Sequence, residues 1–261
     1  MVTRQDCLDG LREAAEMLGH PPSRPEYRRL RDEKDVGPSV TSLQNYLGGT
    51  WNAAKEEAGL SVHGVGGALD LNEDYFAEVE TNEQAYWLGM LYGDGSLCEP
   101  EKGNPMLSLG LQERNHVEAF VDALDAEHSV TESGPIFSVS MRCEILSQDL
   151  RGHGLGPDKT HSGSLPELTS DSLRAAFVRG LFDADGHVGQ HQRFNITGAS
   201  RGRFFALLGW LPVEGTIVDR KDGAFTLRVG GAERLEQLYG WLYPEGVETQ
   251  PKLDRKYNNV R

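Results

Sequence analysis

The sequence predicts an α+β protein built from two related αββαββα halves behind a small all-helical segment, and three observations predict it. First, two apolar stretches, Tyr86-Trp-Leu-Gly-Met-Leu-Tyr-Gly-Asp-Gly-Ser-Leu97 and Phe177-Val-Arg-Gly-Leu-Phe-Asp-Ala-Asp-Gly-His-Val188, carry a small residue at i and i+4 and then stop at Asp-Gly, where glycine readily adopts a helix-ending conformation. Second, the segments that follow them repeat at a long period, with 91 residues separating Asp94 from Asp185. Third, the first sixty or so residues show helical apolar spacing and no strand pattern.

Residues 5–18 place Leu8, Leu11, Ala15 and Leu18 on one helical face, and Gly19-His20-Pro21-Pro22 ends that helix. Ser23 is expected to cap a second helix with Pro25 near its start, bearing Arg24, Arg28, Arg29 and Arg31. Ser39–Leu47 makes a third short helix, and Trp51–Ala58 a fourth before Gly59-Leu60. Gly64, Gly66 and Gly67 mark 61–70 as a flexible linker, so the expected domains are 1–62, a linker at 63–74, a first repeat at 75–170 and a second at 171–261. In the first repeat, Asp94-Gly95 is followed by strand-like residues, Met106–Leu111, a helix from Arg114 to Leu124, a hairpin over Val130–Ser140 and a further helix. The second repeat answers with His187-Val188, Arg193–Thr197, a helix Arg201–Leu211, a hairpin Thr216–Arg228 and a helix Ala232–Leu242. Each half thus has helices on one face of a sheet and alternating polar side chains on the other, which stays open.

A chain of 261 residues suffices for one large or two modest cores. No apolar run approaches the roughly 18 residues of a membrane span, and the amino terminus is not signal-like, so a soluble, cytoplasmic protein is expected. Cys7, Cys98 and Cys143 are far apart and odd in number, which argues for reduced thiols. His187 and His191 follow the Asp-Gly break on a strand, where their spacing does not suit zinc. The net charge of −14 argues against a nucleic-acid partner, but residues 63–170 hold 5 Lys and Arg against 19 Asp and Glu, so the acid is local. With 7 Lys against 19 Arg, the chain fits a salty cytoplasm in which carboxylates maintain solubility.

Small residues four apart leave a flat strip on a helix, and two such strips let backbones pack closely. That crossing brings Asp94 and Asp185 side by side, each at the negative end of a helix dipole, where a hard divalent cation offsets their repulsion. Val178–Gly186 (VRGLFDADG) and Trp87–Gly95 (WLGMLYGDG) resemble the LAGLIDADG motif, with its second acid at Asp94 and Asp185 and Tyr92 in place of its first acid. The resemblance implies a homing endonuclease: a saddle of two pseudo-twofold-related repeats, cutting both strands of double-stranded DNA across the minor groove and leaving short 3′ overhangs. It implies Mg²⁺, with Mn²⁺ as a substitute, held by Asp94 and Asp185 and the carbonyls of Gly93 and Ala184. Lys159, before the second motif, and Lys256, in the tail Leu253-Asp-Arg-Lys-Tyr257, take the places of the family's helper lysines, with Lys252 as fallback. The segment from Leu8 to Leu60 resembles the homing endonuclease associated repeat, a DNA-binding module. Thr41, Gln44 and Asn45 on its third helix would reach bases, and arginines such as Arg28 would reach phosphates.

On the open sheet faces the expected DNA contacts are Arg193, Arg220, Lys221, Arg228, Gln190, Gln192 and Asn195 in the second half. The first half offers Lys102, Arg142, Ser108, Gln112, Ser138 and Ser140. With both halves in one chain, a monomer reading an asymmetric site is expected. The alternative is a non-cutting DNA-binding regulator or RNA maturase on the same fold. The ends of the chain lack the residues of protein splicing, so none is expected, and Asp183–Gly186 lacks the spacing of a calcium loop.

Overall fold

The computed structural model describes residues 2–22, 24–34, 36–48, 51–60, 71–100, 103–156, 164–189, 193–247 and 250–258. They fall into two compact units, one of residues 1–74 with 118–130, the other of 75–117 with 131–261.

The first unit holds helices α1 (Arg4–Leu18), α2 (Arg24–Lys34), α3 (Val40–Tyr46) and α4 (Trp51–Glu57). Thr3 and Asp6 form a reciprocal capping box at the start of α1, and Gly19, at φ 75°, closes it. Ser39 caps α3 through the amide of Ser42. Ser23, the expected cap of α2, lies outside the described residues. The apolar faces converge on Leu11, Tyr27, Leu43, Leu47, Trp51 and Ala54, all essentially excluded from solvent. Residues 118–130 join this unit rather than the sheet because Asp125, in a left-handed conformation at φ 47°, accepts the Trp51 amide at 2.5 Å and the buried guanidinium of Arg24. The neighbouring Leu124 carbonyl accepts the amide of Asn72.

The second unit contains the repeat. In chain order it holds α5 (Asn82–Gly93), β1 (Gly95–Cys98), β2 (Met106–Leu111), α6 (Arg114–Ala123, whose later residues group with the first unit), β3 (Thr131–Ser133), β4 (Ile136–Arg142) and α7 (Glu144–Gly152). The pattern recurs as α8 (Asp171–Asp185), β5 (Gly186–Gly189), β6 (Arg193–Gly198), α9 (Arg201–Leu208), β7 (Thr216–Asp219), β8 (Phe225–Val229) and α10 (Ala232–Leu242), followed by a short α11 (Asp254–Tyr257). The two sheets are antiparallel and have the same order, β1-β2-β4-β3 and β5-β6-β8-β7. In the first, Leu97, Leu107, Leu109, Val139 and Met141 are buried on one face; Ser96, Cys98, Ser140 and Arg142 are exposed on the other.

Helices α5 and α8 form the core of this unit. All side chains from Ala85 to Tyr92 are buried, as are those from Ala175 to Asp183. The expected close crossing is present and reciprocal. A Cβ on Gly89 would lie 2.0 Å from the Phe177 carbonyl oxygen, and one on Gly180 would lie 2.0 Å from that of Tyr86. One expectation is corrected: neither Asp-Gly glycine ends its helix in a left-handed conformation. Gly186, at φ −85° and ψ 160°, is already extended, and both glycines begin strands. Space is the reason they are glycine. A Cβ would come within 2.6 Å of the Leu91 carbonyl at Gly95 and 2.1 Å of the Phe182 ring at Gly186, so the chain turns from helix to strand against its own last turn.

Candidate metal and nucleic-acid site

Asp94 caps the carboxyl end of α5 with its backbone at φ −89°, ψ −8°, and Asp185 is the last residue of α8; both are exposed. The crossing brings these ends together. A Cβ on Gly93 would stand 2.3 Å from the Ala184 Cβ and 3.2 Å from the Asp185 carboxylate, so the missing side chain leaves room for that carboxylate beside Asp94. Two carboxylates at two helix carboxyl ends are a hard-oxygen donor pair that suits a divalent cation. Among the described residues no group of three or more His, Cys, Asp or Glu is placed to hold a metal, so carboxylates and main-chain oxygens are the donors on offer.

Lys256 lies directly beneath this end of α8. It is 6 % exposed, and its Nζ donates to the carbonyls of Phe182 (2.7 Å), Ala184 (3.3 Å) and Gly186 (2.6 Å). All three ammonium protons are thus used on carbonyls at the end of α8 and the start of β5, that of Phe182 already accepting the Gly186 amide. Burial pulls its pKa down to about 8, against Asp183, Asp94 and Asp185, which favour the charged form. Its field therefore reaches both exposed acids without a direct bond. The Ala184 carbonyl, expected to face a cation, is shared with Lys256 and has only its second lone pair to give.

Several neighbours are not apparent from motif reading. Asp183 is fully buried; one carboxylate oxygen accepts from Tyr86 Oη (2.8 Å) and from the Leu253 amide (2.7 Å), while the other has no hydrogen-bond partner among the described residues. Burial raises its pKa to about 6. Because Tyr86 gives its proton to Asp183, His116 Nε2, at 2.7 Å, must donate to the Tyr86 oxygen, which fixes the tautomer of a neutral imidazole. Arg179, one turn before Asp183, donates to the carbonyls of Leu242 and Pro251 and to Gln250 Oε1. Arg203 of α9 lies 5.0 Å over the Tyr92 ring, and burial lowers its pKa while Tyr92 and Asp185 oppose that. The signal for Arg179 and Asp183 was available: charged residues inside an all-apolar helix must be paired.

The expected nucleic-acid contacts divide. His187, Arg193, Asn195, Arg220, Thr226 and Arg228 line a groove of about 260 Å³ on the second sheet's open face. Asn195 is nevertheless 2 % exposed, a correction to its expected role at the surface. Its amide donates to the Arg193 carbonyl and its oxygen accepts from Arg228 Nε (2.9 Å), so it orients Arg228. Arg220 is exposed and bonded to Asp222, and Lys221 is exposed beside it. On the first sheet Arg142 donates to the Asn104 carbonyl, and Ser108 and Ser140 share a hydrogen bond (2.8 Å). In the helical unit Thr41 and Asn45 are exposed on α3, whereas Arg28 is paired with Asp74. Lys159, Lys102, Gln190 and Gln192, and the side chain of Gln44, lie outside the described residues.

Residues 2–61 match the family described as Homing endonuclease associated repeat, and residues 172–204 match LAGLIDADG-like domain. An 86-residue stretch is 38% identical to elongation factor 2 of Methanopyrus kandleri; it is 31% of this chain and spans only 7% of that protein. Among solved structures, the homing endonuclease I-DmoI in complex with DNA and Ca is 14% identical with a TM-score of 0.50, over 72% of this chain and 97% of that one. I-WcaI, bound to its DNA recognition sequence, is 9% identical with a TM-score of 0.50, over 72% and 91%. At these identities the likeness concerns the fold. The chain thus carries a match to the homing endonuclease associated repeat at residues 2–61 and to the LAGLIDADG-like domain at residues 172–204, on a fold similar to those of I-DmoI and I-WcaI.

Proposed function

We propose that this protein is a site-specific endonuclease that hydrolyses both strands of a long, asymmetric DNA duplex with the help of a divalent cation, Mg²⁺ or Mn²⁺. The observation that carries this reading is the meeting of Asp94 and Asp185 at two abutting helix ends above the buried charge of Lys256. I-DmoI was solved with DNA and Ca, and I-WcaI with its DNA recognition sequence, which supports DNA as the ligand of this fold.

Asp94 and Asp185 would hold the cation, with the Gly93 and Ala184 carbonyls at its margin. A cation so held lowers the pKa of an attacking water and stabilises the leaving oxygen of an in-line displacement. Lys256 places a positive charge beneath the two acids and offsets the negative potential that would repel a phosphate. Lys159 is assigned the matching role in the first half. Arg193, Arg220, Lys221 and Arg228 face the backbone or base edges, and α3 of residues 1–62 adds a second, tethered contact whose effective concentration raises affinity. Surface carboxylates suit such a protein, acting as a monomer, to a cytoplasm of high salt.

The test is cleavage of a randomised duplex library with Mg²⁺ at low and high salt by the native protein, Asp94→Asn and Asp185→Asn. Double-strand cutting that either substitution lowers by at least about a hundredfold is expected. Specific binding without cutting in Mg²⁺ or Mn²⁺ would instead identify a regulator.

A further inference from the structure

The residue at the sixth position of the motif faces away from the cation site in both halves, and in each it reaches a distant stretch of chain. In the second half this is Asp183, whose carboxylate accepts the Leu253 amide at 2.7 Å. Leu253 is the residue from which α11 starts, and Lys256 lies on that single turn, its amide bonded to the Leu253 carbonyl. Arg179, on the same face of α8, holds the preceding residues through Gln250 Oε1 and the Pro251 carbonyl. In the first half the sixth position is Tyr92, whose hydroxyl lies 2.5 Å from the His153 carbonyl and 2.7 Å from that of Ser164 and can donate to one at a time. The two side chains are chemical opposites, an acceptor for an amide and a donor to carbonyls, yet both tie a remote segment to a motif helix.

We propose that Asp183 is a positioning residue for Lys256: it fastens the carboxyl-terminal segment to α8 through the Leu253 amide and thereby sets the ammonium against the Phe182, Ala184 and Gly186 carbonyls. Three features support this assignment. The bond is buried and charge-assisted, and such bonds are the stronger ones. The carboxylate also attracts the ammonium it positions, so the same group holds both ends of the Leu253–Lys256 turn. A carboxylate in this position is otherwise unfavourable, since burial opposes its charge and one of its oxygens has no hydrogen-bond partner among the described residues. A leucine would fill the space without that cost.

The role of Asp183 in catalysis rests on the endonuclease reading; its role in holding the tail does not, and the experiment separates the two. In the full-length protein, hydrogen exchange at the Leu253 amide and the rate of reductive methylation of Lys256 are followed by peptide mass spectrometry for the native chain, Asp183→Leu and Asp183→Asn. Asp183→Leu should speed both by at least about tenfold, because local opening exposes both groups, whereas Asp183→Asn, which retains an acceptor but loses the charge, should speed both by a smaller factor, about threefold. For cutting, Asp183→Leu should lower turnover at saturating duplex without weakening duplex affinity. It should add nothing to Lys256→Met in the double variant, since residues acting through one group are not additive. An unchanged Leu253 amide in Asp183→Leu, or losses that add to those of Lys256→Met, would overturn the proposal. If Asp183→Leu does not fold, Asp183→Asn still decides, because native exchange and methylation rates there, with the charge of the anchor gone, contradict it. A native protein that cuts no duplex while Asp183→Leu frees the tail refutes the endonuclease reading and leaves the anchor standing.

Discussion

Ser96, Ser108 and Ser140 stand side by side across the first sheet; at the same register positions the second sheet carries His187, Asn195 and Arg228. The two rows occupy the same backbone, antiparallel strands in the same order following the same kind of helix. One offers hydroxyls that satisfy each other, as Ser108 and Ser140 do, and the other a guanidinium braced by a buried amide. The contrast shows where the repeat was constrained. The crossing points of α5 and α8, Gly89 and Gly180, have no room for a Cβ, whereas the open-face positions differ between the halves. A duplex lying along both faces would therefore be held chiefly by the second.

The largest expected effect comes from breaking what the halves share. Gly180→Val drives a branched side chain into the Tyr86 carbonyl, where even a Cβ stands at 2.0 Å, and neither helix can shift without moving both sheets. We expect a loss of about 3 kcal/mol or more, or no folded protein, in urea denaturation. Gly240→Ala, on the outside of α10 where a Cβ meets nothing within 4 Å, is the matched control and should stabilise by about 0.5–1 kcal/mol.

A second effect sharpens the comparison at the interface between halves. His116 of the first half donates to Tyr86, which donates to Asp183 of the second, so the halves are linked by one chain of buried hydrogen bonds. Burial lowers the His116 pKa from 6.5 to about 4. A depressed pKa means that the unfolded chain takes up the proton first; the stability from neutral His116 is present above pH 6.5 and is lost as pH falls towards 4. The limit is on the order of 3 kcal/mol. Asp183, with its pKa raised to about 6, takes up a proton in the folded state over the same range and acts in the opposite direction. The His116 contribution is therefore read as the difference between the native chain and His116→Gln in thermal unfolding from pH 7 to pH 4, with His116→Gln losing less. An equal acid sensitivity in His116→Gln would place the titrating group elsewhere.

How much of this could be read in advance depended on whether the determinant was local. The motif helices, the crossing of Gly89 and Gly180 and the order of helices and strands follow from spacing within a few residues. The roles of Gly95 and Gly186 were misjudged because a helix-ending glycine and a glycine required by lack of space look alike in sequence. Asn195 was placed outward by strand alternation, correctly as to face. That Arg228 covers it depends on a strand partner 33 residues away. Arg179 and Asp183 find their partners some 60 to 70 residues later, so only their presence in an apolar helix pointed to them. Arg203 gave no signal at all, because its neighbours Tyr92 and Asp185 come from other elements.

The smallest effect tests the contrast itself. If the second face supplies most of the affinity, Arg228→Ala should weaken duplex binding by about 1–2 kcal/mol and reduce the salt dependence by about one counterion, whereas Ser140→Ala should change it less than twofold. The converse substitution is more telling. Ser140→Arg puts a guanidinium at the register position that Arg228 occupies in the other sheet, next to Ser108 where Asn195 would be. Without a buried amide to brace it, the new side chain loses more freedom on binding, so its gain should be smaller than the Arg228→Ala loss, about 0.5 kcal/mol at low salt. Ser108→Asn added to Ser140→Arg supplies the brace and should bring the gain closer to 1 kcal/mol. Equal gains with and without Ser108→Asn would mean that charge alone distinguishes the two faces and that Asn195 is only a filler beneath Arg228.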